Sequence, residues 1–289
     1  MYFVAVITED NKIIYINNQG LFQEQMIRSK ILTLLSDFGD KDVYVGVMKG
    51  VIAQINPYLI LIDLTHQIPA QNIAAARFCL MNAYDYFPKG TVHLAVVDPG
   101  VGSQRRAIAL KLEQGYLVGP DNGIFSGITS KNQIITAIEL TNPNFWRTSE
   151  PSSTFNGIDI FAPVAAHLGN GVSLQELGTE INPETVVMDI GECWETTNGV
   201  TGYIQYIDHF GNLVSNIPAS YVKDKNWCVQ IAGLTILGCA AYSDVEIGEA
   251  LALVGSHGWV EIAINSGNAQ IKLQVNWQDG LEVLFLQSC

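Results

Sequence analysis

The sequence predicts an α/β N-terminal domain with a mostly parallel sheet, followed by a smaller all-β barrel domain. Three observations predict it. From Ile31 onward, short apolar runs alternate with segments of helical periodicity. Polar Asp/Gly loops follow those apolar runs. After about residue 190 the helical signal fades, and short strands separated by Gly, Asn and Asp remain.

Residues 1–30 read as an N-terminal extension. Thr8–Lys12 is a turn between two apolar stretches, so a small hairpin is expected there, and Met26 stands just before the first strong strand. Ile31–Leu35 is a buried strand ending at Ser36-Asp37-Phe38-Gly39-Asp40. Tyr44–Ile55 is a helix, with Val47, Met48, Val51 and Ile55 at helical spacing, and Asn56-Pro57 ends it. Leu59–Leu64 is a strand, Asn72–Tyr86 a helix and Val92–Val97 a strand ending at Asp98-Pro99-Gly100. Ala107–Leu112 and Tyr116–Val118 are further strands, the second ending at Gly119-Pro120-Asp121-Asn122-Gly123. The α/β domain is placed at 31–190 and the barrel at 191–289, with a boundary near Asp189–Asn198. The barrel strands are Gly202–Ile207, Val214–Ile217, Trp227–Ile231, Ala250–Val254, Trp259–Ile264 and Leu281–Leu286.

The bulk numbers bound the function. With 289 residues there is room for one large or two medium domains, and 48% apolar content suffices for a full core. A net charge of −13 argues against nucleic acid as a partner, because phosphate neutralisation needs a basic face. A cationic small ligand suits it better. The five cysteines form no CxxC pair and are read as reduced thiols of a cytoplasmic protein. No apolar run approaches the ~18 residues of a membrane span, and the N-terminus lacks the basic region of a signal peptide.

Four polar loops follow apolar strands: Ser36-Asp37-Phe38-Gly39, Asp63-Leu64-Thr65-His66, Asp98-Pro99-Gly100-Val101-Gly102 and Pro120-Asp121-Asn122-Gly123. In a parallel sheet these strand ends converge on one edge, where ligands bind. Carboxylates gathered there suit ribose hydroxyls, a metal or a cation, although Asp, Gly and Asn also simply make turns. His66 reads as a loop brace, and Arg106 as a salt-bridge partner. Asp37-Phe38-Gly39 spells a kinase triplet, but no HRD loop precedes it. The Asp98–Arg106 loop lacks GxxxxGK, and no histidine pair has HExxH spacing.

Taken in order, these loops, with Arg105-Arg106, Ser153-Thr154-Phe155, Asp208-His209-Phe210-Gly211-Asn212 and Gly255-Ser256-His257, resemble the S-adenosylmethionine (SAM) hydroxide adenosyltransferases, relatives of fluorinase and chlorinase. The resemblance runs from Ile31 to the C-terminus. It implies a homotrimer, with each SAM site between the N-terminal domain of one subunit and the C-terminal domain of the next. It places the ribose diol on Asp37, the methionine amine near Asp42 and Asp208, and its carboxylate near Ser256. Adenine is expected near Asn212, with Tyr242 as a stacking face. SAM is the substrate, so no cofactor and no metal are implied.

The implied reaction is displacement at ribose C5′ by water, giving adenosine and methionine. Methionine leaves as a neutral thioether, so the demand falls on holding and deprotonating the water. Hydrolytic members are expected to use an Asp-Arg-His trio. Asp98 and Arg105 match the first two. Asn156 stands where the family has His, and Ile158 where it has Arg. Asparagine orients a water but takes no proton near neutral pH. Activity is expected to survive at reduced rate. A SAM- or adenosine-binding protein without turnover, and an aspartate-based metal hydrolase, are the alternatives. Asp98-Pro99-Gly100-Val101 replaces the Tyr-Pro-Ala-Thr loop expected of the halogenases, and a carboxylate facing the nucleophile pocket repels halide.

Overall fold

A computed structural model describes residues 31–286 and, ahead of them, the strand segments Val4–Ile7 (β1), Lys12–Ile16 (β2) and Phe22–Met26 (β3). β1 and β2 pair antiparallel with Ile7 opposite Ile13, as the predicted hairpin requires, and β3 adds to β2. The turn residues of that hairpin lie outside the described residues, as does Cys289.

The N-terminal domain contains Ile31–Ser36 (β4), Tyr44–Ile55 (α1), Ile60–Thr65 (β5), Ile73–Tyr84 (α2), Thr91–Val96 (β6), Ala107–Lys111 (β7) and Gly115–Pro120 (β8). Ser126–Thr129 (α3), Thr136–Glu139 (β9), Ala162–Gly169 (α4) and Thr179–Glu180 (β10) complete it. The sheet order is β10-β9-β7-β8-β6-β4-β5. The expectation of a mostly parallel sheet needs correction: three of its six pairings are parallel and three antiparallel. The reason is local. β8 follows β7 after a tight turn, and a short connection joins only antiparallel neighbours.

Helices cover both faces. α1 and α4 pack Met48, Ile52, Val164 and Leu168 against Leu32, Leu34 and Leu94 on one side. α2 and α3 pack Ala76, Leu80 and Ile128 against Leu35, Ala95 and Leu117 on the other. β6 is buried along its whole length, its apolar residues interrupted by the buried polar Thr91 and His93. α2 starts where Asn72 predicts, because the Asn72 side chain accepts from Ala75 N–H at 2.9 Å. α1 departs from expectation: Val47 faces outward and is 42% exposed, beside exposed Val43 and Tyr44.

The C-terminal domain is built from Trp194–Glu195 (β11), Gly199–Ile207 (β12), Leu213–Pro218 (β13), Trp227–Ile231 (β14), Leu234–Leu237 (β15), Ala250–Val254 (β16), Trp259–Ile264 (β17), Ala269–Leu273 (α5) and Gly280–Phe285 (β18). Its order, β15-β14-β18-β12-β13-β17-β16, is antiparallel throughout. The ring nearly closes where Cys239 N–H donates to the Ala252 carbonyl at 2.7 Å. The molecule is therefore a two-domain α/β protein with a mixed sheet and a nearly closed, barrel-like antiparallel sheet. The domains meet where Phe78 of α2 stacks on Tyr206 of β12, with ring centroids 4.4 Å apart. Among the described residues no helix is long and apolar enough to cross a membrane. Cys79, Cys193, Cys228 and Cys239 are free thiols.

Candidate active site

Parallel β5, β4, β6 and β8 deliver all four predicted loops to one sheet edge. Because β7 runs back from that edge, the whole 97–106 connection lies over it. Two of the four acidic groups brace the edge rather than open onto the cavity described below. Asp63 is held by Lys49 Nζ at 2.6 Å and His66 Nε2 at 3.1 Å. Burial pushes the Asp63 carboxyl up, but the hydrogen bonds from Lys49 and His66 outweigh it and leave the pKa below its ordinary value. His66 also meets Ser36 Oγ through Nδ1 at 2.7 Å, and its carbonyl accepts from Gly39 N–H, so it is the predicted loop brace. The Asp121 side chain is 3% exposed, pairs with Arg106 and accepts from Val186 N–H at 2.8 Å.

The other two acidic loops make a cavity of 220 Å³, lined by Asp37, Phe38, Gln71, Asp98, Phe155 and Asn156 among others. Asp98 and Arg105 form a forked ion pair in which Arg105 Nε lies 3.0 Å from both carboxylate oxygens and Nη2 closes on Oδ2. The same Nη2 donates to Asn156 Oδ1 at 2.7 Å. Asn156 in turn donates through Nδ2 to the Ser152 carbonyl at 3.1 Å. The pair is sheltered, with side chains 11% and 7% exposed for Arg105 and Asp98, and Phe161 lies under the guanidinium. Gly102, at φ +79°, lets the two loops meet: a Cβ there would sit 2.7 Å from the Ser153 carbonyl oxygen. Asp37 accepts from Gln71 N–H through Oδ2 at 2.8 Å. Its other oxygen takes no protein hydrogen bond among the described residues.

The remaining predicted residues lie elsewhere. Asp42 is exposed ahead of α1 and does not line this cavity. Asp208 accepts from Phe210 N–H and Asn212 N–H through Oδ1, each at 2.8 Å, and from Asn212 Nδ2 through Oδ2 at 3.0 Å. It also borders a 440 Å³ cavity with Tyr206, Gln270 and Trp277. Asn212 is 7% exposed. Tyr242 donates its hydroxyl to Glu261 at 2.7 Å; burial, then the Glu261 hydrogen bond and charge, then Asp208 push its pKa well up. Ser256 is exposed in the turn between β16 and β17. The Asp98 cavity is lined by N-terminal-domain residues alone, so Asp208, Asn212, Tyr242 and Ser256 do not join it within one chain.

Sequence reasoning missed Gln71, whose φ of +65° aims its N–H at Asp37, and nothing in a Gln codes for that turn. It also missed Glu261, which looks like one more polar residue of a strand. Among the described residues, no three His, Cys, Asp or Glu side chains gather as a metal-binding group.

Comparison with known proteins decides the family. Residues 32–178 match the SAM hydroxide adenosyltransferase N-terminal domain, and residues 202–282 match its C-terminal domain. The chain belongs to the SAM hydroxide adenosyltransferase family.

Among curated relatives, the chain is 37% identical over 254 residues to an (R)-S-adenosyl-L-methionine hydrolase of Salinispora tropica, covering 87% of this chain and 97% of the relative. It is 36% identical over 261 residues to the protein of the same name from Thermus thermophilus, covering 87% and 98%. A fluorinase of Actinoplanes is more distant, at 25% identity over 289 residues, covering 88% and 96%. The crystal structure of an uncharacterized conserved protein from Thermotoga maritima superposes with a TM-score of 0.82 at 36% identity, covering 88% of this chain and 99% of that one. In this SAM hydroxide adenosyltransferase, the three residues at the trio positions are joined through Arg105, with asparagine in the third place.

Proposed function

We propose that this SAM hydroxide adenosyltransferase hydrolyses S-adenosylmethionine to adenosine and methionine, with Asp98 drawing the proton from a water in line with ribose C5′. The observation that carries the reading is the Asp98–Arg105–Asn156 unit opening onto the cavity that also holds Asp37. Asn156 spends its carbonyl on Arg105 and its amide on the Ser152 carbonyl, so it clamps the guanidinium. An amide takes up no proton near neutral pH, which leaves Asp98 as the acceptor in the unit. Arg105 holds that carboxylate in place and offsets its charge. Asp37 offers a free carboxylate oxygen to the ribose diol. The departing thioether is neutral and needs no acid. Asp98 at the nucleophile position favours water over halide, because two negative charges repel strongly in a sheltered site.

The other half of the site comes from a second copy in a homotrimer. Two exposed apolar faces support this. One is Val43, Tyr44 and Val47 of α1, beside Phe155. The other includes exposed Phe210, two residues from Asp208, and exposed Val254, two residues from Ser256. Two different faces joined copy to copy make a heterologous contact, which closes into a three-membered ring when successive copies are related by a third of a turn. Asp208 and Asp42 then suit the ammonium of methionine, Ser256 its carboxylate, and Asn212 and Tyr242 adenine.

The test is chromatographic detection of adenosine and methionine from SAM, with chloride and fluoride as competing nucleophiles. Equimolar adenosine and methionine, with no halo-adenosine, is the expected result. Saturable SAM binding without product would overturn hydrolysis in favour of a SAM-binding protein.

A further inference from the structure

Glu261 lies in β17 and is 4% exposed. Each carboxylate oxygen has its own donor: Oε1 accepts from the Tyr242 hydroxyl at 2.7 Å, and Oε2 from His257 Nε2 at 3.0 Å. The histidine tautomer follows from its third contact. Trp259 N–H donates to His257 Nδ1 at 3.2 Å, so the ring hydrogen sits on Nε2 and points at Glu261. The packing leaves no slack. A Cβ on Gly255 would lie 2.4 Å from the His257 ring and 2.8 Å from Glu261 Oε2. A buried carboxylate is costly unless its lone pairs are satisfied. Here the two donors come from two separate turns, one carrying Tyr242 and one running from Gly255 through Ser256 to His257.

We propose that Glu261 is a positioning residue that couples these two turns, setting the Tyr242 ring against adenine and the Ser256 turn against the methionine carboxylate. One buried carboxylate thereby serves both ends of the substrate. The proposal rests on the substrate roles given above to Tyr242 and Ser256.

Titration with adenosine and with methionine, separately, tests it alongside KM and kcat for SAM. In E261A both donors lose their acceptor, and affinity for each product falls about tenfold or more, with KM rising to match and kcat changing less than about threefold. E261Q restores affinity to within about threefold of wild type, because its amide oxygen accepts from His257 while its NH2 donates to the Tyr242 oxygen. Single-branch variants separate the two arms and carry the test if E261A does not fold. Y242F weakens adenosine and spares methionine; H257F weakens methionine and spares adenosine. Undiminished affinity in E261A overturns the proposal. So does an equal loss of both products in Y242F and H257F, which a general softening of the domain would produce. Wild-type protein that binds neither product overturns the functional reading itself, and this proposal with it.

Discussion

Among single residues, Asp98 is the group that takes the proton in the proposed reaction. Asp98→Asn keeps the shape and one acceptor for Arg105 but removes the basic carboxylate. It should lower kcat for SAM hydrolysis by ~10²–10⁴, as loss of a positioned base does, while leaving KM close to wild type. Asn156→His places an ionisable ring, with an ordinary pKa of about 6.5, against Arg105. Its pH–rate profile should gain a limb that wild type lacks. A wild-type enzyme that is inert, with turnover appearing only in Asn156→His, would mean that Asp98 alone is no base.

At the scale of elements, the loops were more legible than the contacts between them. Asp37, Asp98 and Asp121 follow apolar strands, and parallel pairing sends those ends one way, so a shared edge was readable from pattern alone. The Asn72 cap marked the start of α2. β15 was missed because it follows β14 through Ala232-Gly233, with φ +50° and +75°, and an alanine in a left-handed turn gives no composition cue. The division of labour between Asp63 as brace and Asp98 as cavity wall depends on Lys49 reaching Asp63 from α1 and on Asn156, far along the chain, meeting Arg105. Spacing along the chain does not encode that.

Gly102→Ala forces a side chain into a left-handed backbone and against the Ser153 carbonyl. It should destabilise the fold by roughly 1–3 kcal/mol and lower kcat, read by thermal unfolding and adenosine release. His93 is buried in β6 with Nδ1 2.8 Å from Thr33 Oγ1, and burial lowers its pKa from 6.5 to about 4. As pH falls, the unfolded chain takes up this proton before the folded one does. Stability is therefore full above pH 6.5 and drains away toward pH 4, by at most about 3 kcal/mol. In His93→Gln the fall in Tm across that window should be shallower than in wild type. An identical slope would contradict the assignment.

At the scale of the whole molecule, the two predicted half-sites sit on different domains of one chain, and exposed apolar surface lies beside each. Val43→Asp puts a charge on the 72% exposed position at the head of α1, which is not among the residues lining the Asp98 cavity. It should dissociate the proposed trimer, seen by light scattering, and abolish turnover without lowering the helix content. Persistent activity in a monomer would show that one chain suffices.

In the proposed reaction, water activated at Asp98 attacks the ribose carbon. Hydrolysis of SAM in water enriched in heavy oxygen, followed by mass spectrometry of the nucleoside, tests it most directly. Adenosine should carry the label in its 5′-hydroxyl, with almost no labelled product from Asp98→Asn. Unlabelled adenosine, or label formed equally fast by the Asp98→Asn variant, would contradict it.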